Sequence, residues 1–290
     1  MAAAPGVGES LGTRRARGPD AADAASADAA AAHAQHFDGA FGRRFAEKAL
    51  DALVVVRGAR VLDVACGTGI FARLAAHVTG KGGRVVGTDP AATAVETARR
   101  IDLTSTVEWR HEDPVAMGFY DGSFDVVACQ HGLHRVRDAE AAVGEMRRVL
   151  APGGRLGIMT WGPIEENPAF AVELDAVVKA GLERSGVVDV LLDAFSMHRA
   201  EDLAALAAGV GLVDVTVRTV RMLVALPRAA EWVRVYPTVS PLAQVWPACD
   251  QQARIQFLAR ATELLRPFEH DGVLRVQATT RFLVARAPLS

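Results

Sequence analysis

Residues Val61-Leu-Asp-Val-Ala-Cys-Gly-Thr-Gly69 decide how the rest of the chain is read. An apolar strand ends in an acid, and a small-residue turn with two glycines follows. A helical pattern opens at once, through Ile70, Phe71 and Leu74. Gly67 and Gly69 allow a tight backbone turn and let a ligand lie against it with no Cβ in the way. The helix start offers unpaired N–H groups. This is the arrangement of a nucleotide-type cofactor site at the carboxyl edge of a parallel strand.

Two ligand readings and one bland one compete at that turn. Gly67-Thr-Gly-Ile-Phe-Ala72 fits the G-x-G-x-x-A dinucleotide fingerprint, which would aim the turn at a pyrophosphate. Asp63 argues against it, because a carboxylate there would repel an anion. It suits a cofactor that presents cationic groups, such as an amine and a sulfonium. The bland reading is a plain strand–helix turn with no ligand.

The following residues weigh on this choice. Arg84 to Asp89 is a second apolar strand that also ends in an acid, and Asp89 lies 20 residues beyond Gly69. An acid at that spacing takes ribose hydroxyls in strand–helix–strand cofactor folds. Asp89 also reads as the N-cap of a helix over 90–100, with Pro90 at its first position. A third strand is expected near 106–110, leading into His111-Glu-Asp113-Pro114. A fourth spans Phe124 to Cys129, and a fifth runs from Arg155 to Trp161 after the Pro152-Gly-Gly154 turn.

At this point the chain resembles the class I S-adenosylmethionine-dependent methyltransferases, in the branch close to ubiquinone and menaquinone methyltransferases. Four ordered blocks carry the resemblance: Val61–Gly69, Gly87–Pro90, Asp113–Pro114 with Phe119–Asp125, and Cys129–His134 continuing through Arg147–Arg155. They cover roughly residues 36 to 161. The resemblance implies a doubly wound, Rossmann-like α/β fold. Its seven-stranded sheet is mostly parallel, with an antiparallel last strand and a helical lid. It implies S-adenosyl-L-methionine as cofactor. Asp63, Ala65, Gly67 and Gly69 would line the methionine and ribose part, with Cys66 in the same turn. Asp89 would take the ribose hydroxyls and Pro90 would pack on the adenine. Asp113 would accept from the adenine amino group, beside Pro114. Relatives often carry alanine at the Pro114 position, and proline has no N–H to offer the ring. Cys129 and Gln130 would sit beside the methionine moiety, and His134 would face the substrate. Arg135 replaces the aromatic residue or second histidine of many relatives.

Composition agrees. The chain has 290 residues, half of them hydrophobic, enough for one large core with a cap. Net charge is −2 and no Lys/Arg-rich run occurs, so nucleic acid and anionic membranes are poor partners. A small-molecule substrate is the expected partner, without membrane insertion, and a homodimer is compatible. The three cysteines, Cys66, Cys129 and Cys249, form no C-x-x-C pair, which fits a reducing cytoplasm.

The domain reading places a disordered, alanine-rich tail over 1–34 and the catalytic domain over 35–290. Within it, the core spans 55–161, a helical cover 162–210 and a lid insertion 227–271. Phe37, Phe41 and Phe45 fall on one helix face, as a core stripe or as a flap over the cofactor. Asn167-Pro168 reads as a cap and first turn, with Phe170, Leu174, Val177 and Leu182 behind it. Leu212 to Leu226 alternates as a long strand. Helix then returns, with Trp232 and Tyr236 first and Ile255, Leu258, Ala261 and Leu265 as the apolar stripe. Gln277 to Ala285 is the last strand. Phe195, Trp232, Tyr236, Trp246 and Trp161 are core anchors, some of them lining an apolar substrate pocket.

Methyl transfer needs a nucleophile held near the activated methyl, water excluded and, for O–H or N–H acceptors, a base. His134 is the first candidate base and His131 the second, against a bland reading in which positioning does the work. His131-x-x-His134 lacks further ligands, so no metal is expected. The expected activity is methylation of a small, largely apolar molecule on O, N or C, quinone-like or from secondary metabolism. The alternative is a methyltransferase-fold enzyme that binds the cofactor but catalyses a non-methylating step such as cyclisation.

Overall fold

The computed structural model describes residues 33–104 and 106–289. Most of the expected alanine-rich tail lies outside the described residues. The strands are β1 (Arg60–Val64), β2 (Arg84–Asp89), β3 (Val107–His111), β4 (Phe124–Gln130), β5 (Leu150–Trp161), β6 (Val213–Pro227), the short β7 (Glu269–His270) and β8 (Val273–Arg286). The helices are α1 (Arg43–Ala52), α2 (Ile70–Thr79), α3 (Ala92–Ile101), α4 (Ala139–Val149), α5 (Pro168–Lys179), α6 (Val187–Asp193), α7 (Ala200–Gly209), α8 (Ala229–Trp232), α9 (Tyr236–Val239) and α10 (Gln251–Leu265). A π-helical stretch, His33–Gly42, leads into α1.

The sheet runs β3-β2-β1-β4-β5-β8-β6, with β7 paired to β8. β1 to β5 are mutually parallel. β8 is antiparallel to both β5 and β6. The two-residue β7 makes eight strands where seven are expected. β1 and β4 are buried along almost their whole length, as expected of parallel strands covered on both faces. One face carries α1, α2, α3 and the residues between β6 and β8. The other carries α4 and α7. Chain order reverses between β1 and β4. The crevice beyond their carboxyl ends is therefore the place where a doubly wound sheet binds ligands.

Three local expectations are corrected. α3 starts at Ala92, so Pro90 precedes the helix and does not open it. Asn167 does precede α5, but it does not cap it. Its amide instead ties the β5 exit to β8, donating to Pro163 O at 3.0 Å and Thr279 O at 3.2 Å while accepting from Thr279 N at 2.8 Å. On α10 the buried stripe is Phe257, Ala261 and Leu265, and Ile255 is 52% exposed.

Candidate active site

The turn after β1 is built from left-handed backbone. Ala65, Gly67 and Gly69 all have positive φ, at 53°, 55° and 79°. Gly69 has a second reason to be glycine, because a Cβ there would run into the Trp109 ring from β3. Around Gly67 the space is open. Asp63, buried at the end of β1, accepts from the Ala72 N–H of α2 at 3.1 Å. Asp89, at the end of β2, accepts from Gly67 N at 2.8 Å and from Ala91 N at 2.9 Å. The second acid thus holds the turn to β2 and also satisfies the backbone entering α3.

The loop after β4 lies against this turn. A Cβ on Gly132 would meet Ala65 Cβ at 2.6 Å and Ala65 O at 2.9 Å, so glycine is what lets the two loops touch. His131 also has positive φ, at 54°, and its N–H donates to Met159 O at 2.8 Å. Its ring stacks on Trp161 at 4.1 Å and meets Phe45 in a T-shaped contact at 5.3 Å. Gln130 donates to Gly42 O at 2.9 Å. The Thr68 hydroxyl donates to Asp38. The segment leading into α1 therefore lies against the turn, while Phe41 and Phe45 are buried in the core.

The electrostatics are those of a site short of positive charge. Burial raises Asp63 to a pKa of about 8, and Asp89 and Asp38 push it further while Ala72 and Arg73 oppose. Burial raises Asp89 as well. Gln130 Oε1 is buried without a donor, and His131 Nε2 is buried without a hydrogen-bond partner. Acceptor oxygens gather in the crevice, and Gln130 Oε1 among them has no donor, which suits a ligand carrying an ammonium or sulfonium group. Cys66 and Cys129 are thiols at neutral pH, since burial raises both, Cys129 to about 12. Neither is a nucleophile. Burial lowers His131 to about 3, with His134 adding to it. His134 falls to about 4 through burial and Arg135, against Asp193. Both imidazoles are neutral at pH 7.

The remaining expected residues lie at the rim. Asp113 is exposed and accepts from Val115 N at 3.1 Å, Pro114 is buried behind it, and Pro90 is exposed. Among the described residues, no group of three His, Cys, Asp or Glu side chains could hold a metal. No described helix is long and apolar enough to cross a membrane.

Residues 62–158 match the model of the methyltransferase domain family. This segment is a class I methyltransferase domain. The chain is 41% identical over 114 residues to a 2-phytyl-1,4-naphtoquinone methyltransferase from Thermosynechococcus vestitus, covering 39% of this chain and 51% of that protein. It is 38% identical over 122 residues to a demethylmenaquinone methyltransferase from Thermus thermophilus, covering 41% and 55%. The chain thus spans about half the length of these relatives. A solved candidate methyltransferase from an antibiotic biosynthesis pathway of Anabaena variabilis superposes with a TM-score of 0.61 at 17% identity, over 83% of this chain and 96% of that one. At that identity the likeness speaks for the fold alone. The methyltransferase domain holds the β1 turn, Asp89 and the β4 loop. The residues after Trp161 lie outside the matched segment.

Several residues that shape this region or stand out in it escape the sequence reading. Asp38 and Trp109 carry no motif. Glu173 carried a signal: an acid on the α5 face shared with Ala169, Val172, Ala176 and Val177. It is fully buried, and burial raises it to about 8.

Proposed function

We propose that this chain transfers the methyl group of S-adenosyl-L-methionine to a small, largely apolar acceptor. The observation that carries this reading is the acceptor-rich crevice of a methyltransferase domain: Asp63, Asp89 and the donor-less Gln130 Oε1 around one glycine turn. When bound, the cofactor supplies a methyl group already activated on a sulfonium. The chain's own residues bind, orient and exclude water. Asp63, Ala65, Cys66, Gly67 and Gly69 receive the methionine and ribose part. Asp89 takes ribose hydroxyls on the lone pairs left over by Gly67 and Ala91. Asp113, Pro114 and Pro90 meet the adenine, and Cys129 and Gln130 the methionine end. The aromatic cluster of Phe37, Phe41, Trp161, Phe170, Phe195 and Trp232 forms the apolar wall on the acceptor side. The helical insertion after β6 acts as its lid.

His134 is the proposed base. Its imidazole, held neutral by burial, is free to accept a proton from an acceptor O–H or N–H across the whole neutral range. Because its proton affinity is low, proximity supplies most of the acceleration and the base a smaller share. His131, packed flat on Trp161, is the second candidate.

The test is incubation with methyl-labelled S-adenosylmethionine and a panel of hydroquinones, phenols and amines. Label appearing in an extractable product, and falling in His134→Ala, is the expected result. Cofactor binding without transfer to any member of the panel contradicts methyl transfer to this acceptor class.

A further inference from the structure

Glu173 lies one turn beyond Phe170 on α5, and no solvent reaches it. Neither carboxyl oxygen has a hydrogen-bond partner. Burial and Ser240, and no cation, set its proton affinity. Ser240, which draws the carboxyl part-way back toward its ordinary state, gives its own proton to Tyr236 O at 2.9 Å. A buried acid in this position weakens the fold and supports no element of it. Such groups persist where a ligand uses them.

A second orphan lies close by. Trp232 Nε1–H is buried and has no acceptor. Both groups lie near Tyr236: the carboxyl opposes ionisation of its hydroxyl, and the indole N–H faces that oxygen without making a hydrogen bond to it. That hydroxyl is already committed, donating to Ala169 O at 2.5 Å. Trp232 packs on Tyr236 at 6.0 Å and on Phe41 at 6.1 Å. Phe41 meets Trp161 at 6.3 Å, and Trp161 carries His131. An unbroken aromatic wall therefore joins the two orphans to the β4 loop.

We propose that Glu173 and Trp232 form the polar recognition point of the acceptor pocket and take an aromatic hydroxyl, of a phenol or hydroquinone, between them. The proposal rests on the reading that the aromatic cluster holds the methyl acceptor. A hydroxyl is the smallest single group that satisfies both orphans, since it donates to the carboxyl and accepts from the indole. An ammonium has no lone pair and leaves the indole N–H unpaired. A plain hydrocarbon satisfies neither group.

The test is calorimetric titration of the full chain, saturated with S-adenosylhomocysteine, with 2-naphthol, naphthalene and 2-naphthylmethylammonium. Wild type binds 2-naphthol at least about tenfold more tightly than naphthalene, the gain of one hydrogen-bonded charged or buried partner. Glu173→Leu loses that preference, binds naphthalene as wild type does and melts at a higher temperature. Glu173→Gln, which keeps an acceptor, regains part of the preference. The proposal is overturned if wild type shows no naphthol preference, if the ammonium binds more tightly than the naphthol, if Glu173→Leu keeps the preference, or if that variant melts below wild type. S-adenosylhomocysteine is titrated separately into wild type and both variants. Its failure to bind wild type sinks the methyltransferase reading, whereas normal binding with no naphthol preference sinks only the role of Glu173.

Discussion

Glu173→Gln should remove a large part of the alkaline instability of this protein. In the folded state burial raises the Glu173 carboxyl from 4.5 to about 8. The native state therefore keeps a proton that the unfolded chain has released. The sign follows: for an acid held above its unfolded value, stability falls as pH rises from 4.5 and levels off past 8. Between about pH 5 and pH 8.5 the gap is roughly three pH units, or about 4 kcal/mol at 1.36 kcal/mol per unit, as a ceiling. Asp63, raised to about 8 by its own burial, adds loss of the same sign, so the wild-type curve alone does not isolate Glu173. The difference between wild type and Glu173→Gln does. Urea unfolding followed by tryptophan fluorescence at the two pH values should show wild type losing about 2–4 kcal/mol more than the variant. Curves that stay parallel within about 0.5 kcal/mol would show instead that the carboxyl ionises freely in the fold.

The acid side should mirror this. His131 and His134, held near 3 and 4, stay neutral in the fold while the unfolded chain protonates below 6.5, so stability present above 6.5 is lost as pH falls toward 4. A His134→Asn variant should lose less between about pH 6.5 and 4.5 in the same urea assay, and an equal loss would contradict the burial argument. Asp89→Ala removes the acceptor for two backbone N–H groups, at 2.8 and 2.9 Å, and should cost about 2–4 kcal/mol of folding stability even without ligand. A denaturation midpoint unchanged from wild type would leave Asp89 with a ligand role only.

Much of the segment matched by the methyltransferase domain was legible because it rests on local rules. Acids closing β1 and β2, glycines where φ is positive, and short apolar strands each leave a signature within a few residues. The mostly parallel sheet and its antiparallel last strand followed from the resemblance, and the long β6 from the alternation of Leu212 to Leu226. What escaped depends on distant contacts. Asn167 has the sequence of a cap, yet Thr279, far along the chain, claims its amide. Pro90 looks like a first helical residue, but Asp89 bonds to Ala91 N and delays α3 to Ala92. Ile255 sits on the stripe by spacing, whereas the packing partners of α10 select Phe257 instead. Asp38 gave no signal, because its contact with Thr68 exists only once the segment before α1 folds over the turn. Glu173 was readable as an acid within an apolar face, but its lack of partners is a property of the assembled core.

The β1 turn, with its buried acids and the donor-less Gln130 Oε1 beside it, is proposed as a site for S-adenosylmethionine. Isothermal titration of S-adenosylhomocysteine into the full chain tests it most directly, with NAD as the control. One site per chain, a rise in melting temperature with ligand worth about 2.7 kcal/mol at a hundred times the dissociation constant, and no heat with NAD are expected. Binding of NAD, or no binding and no thermal shift with S-adenosylhomocysteine, would contradict it.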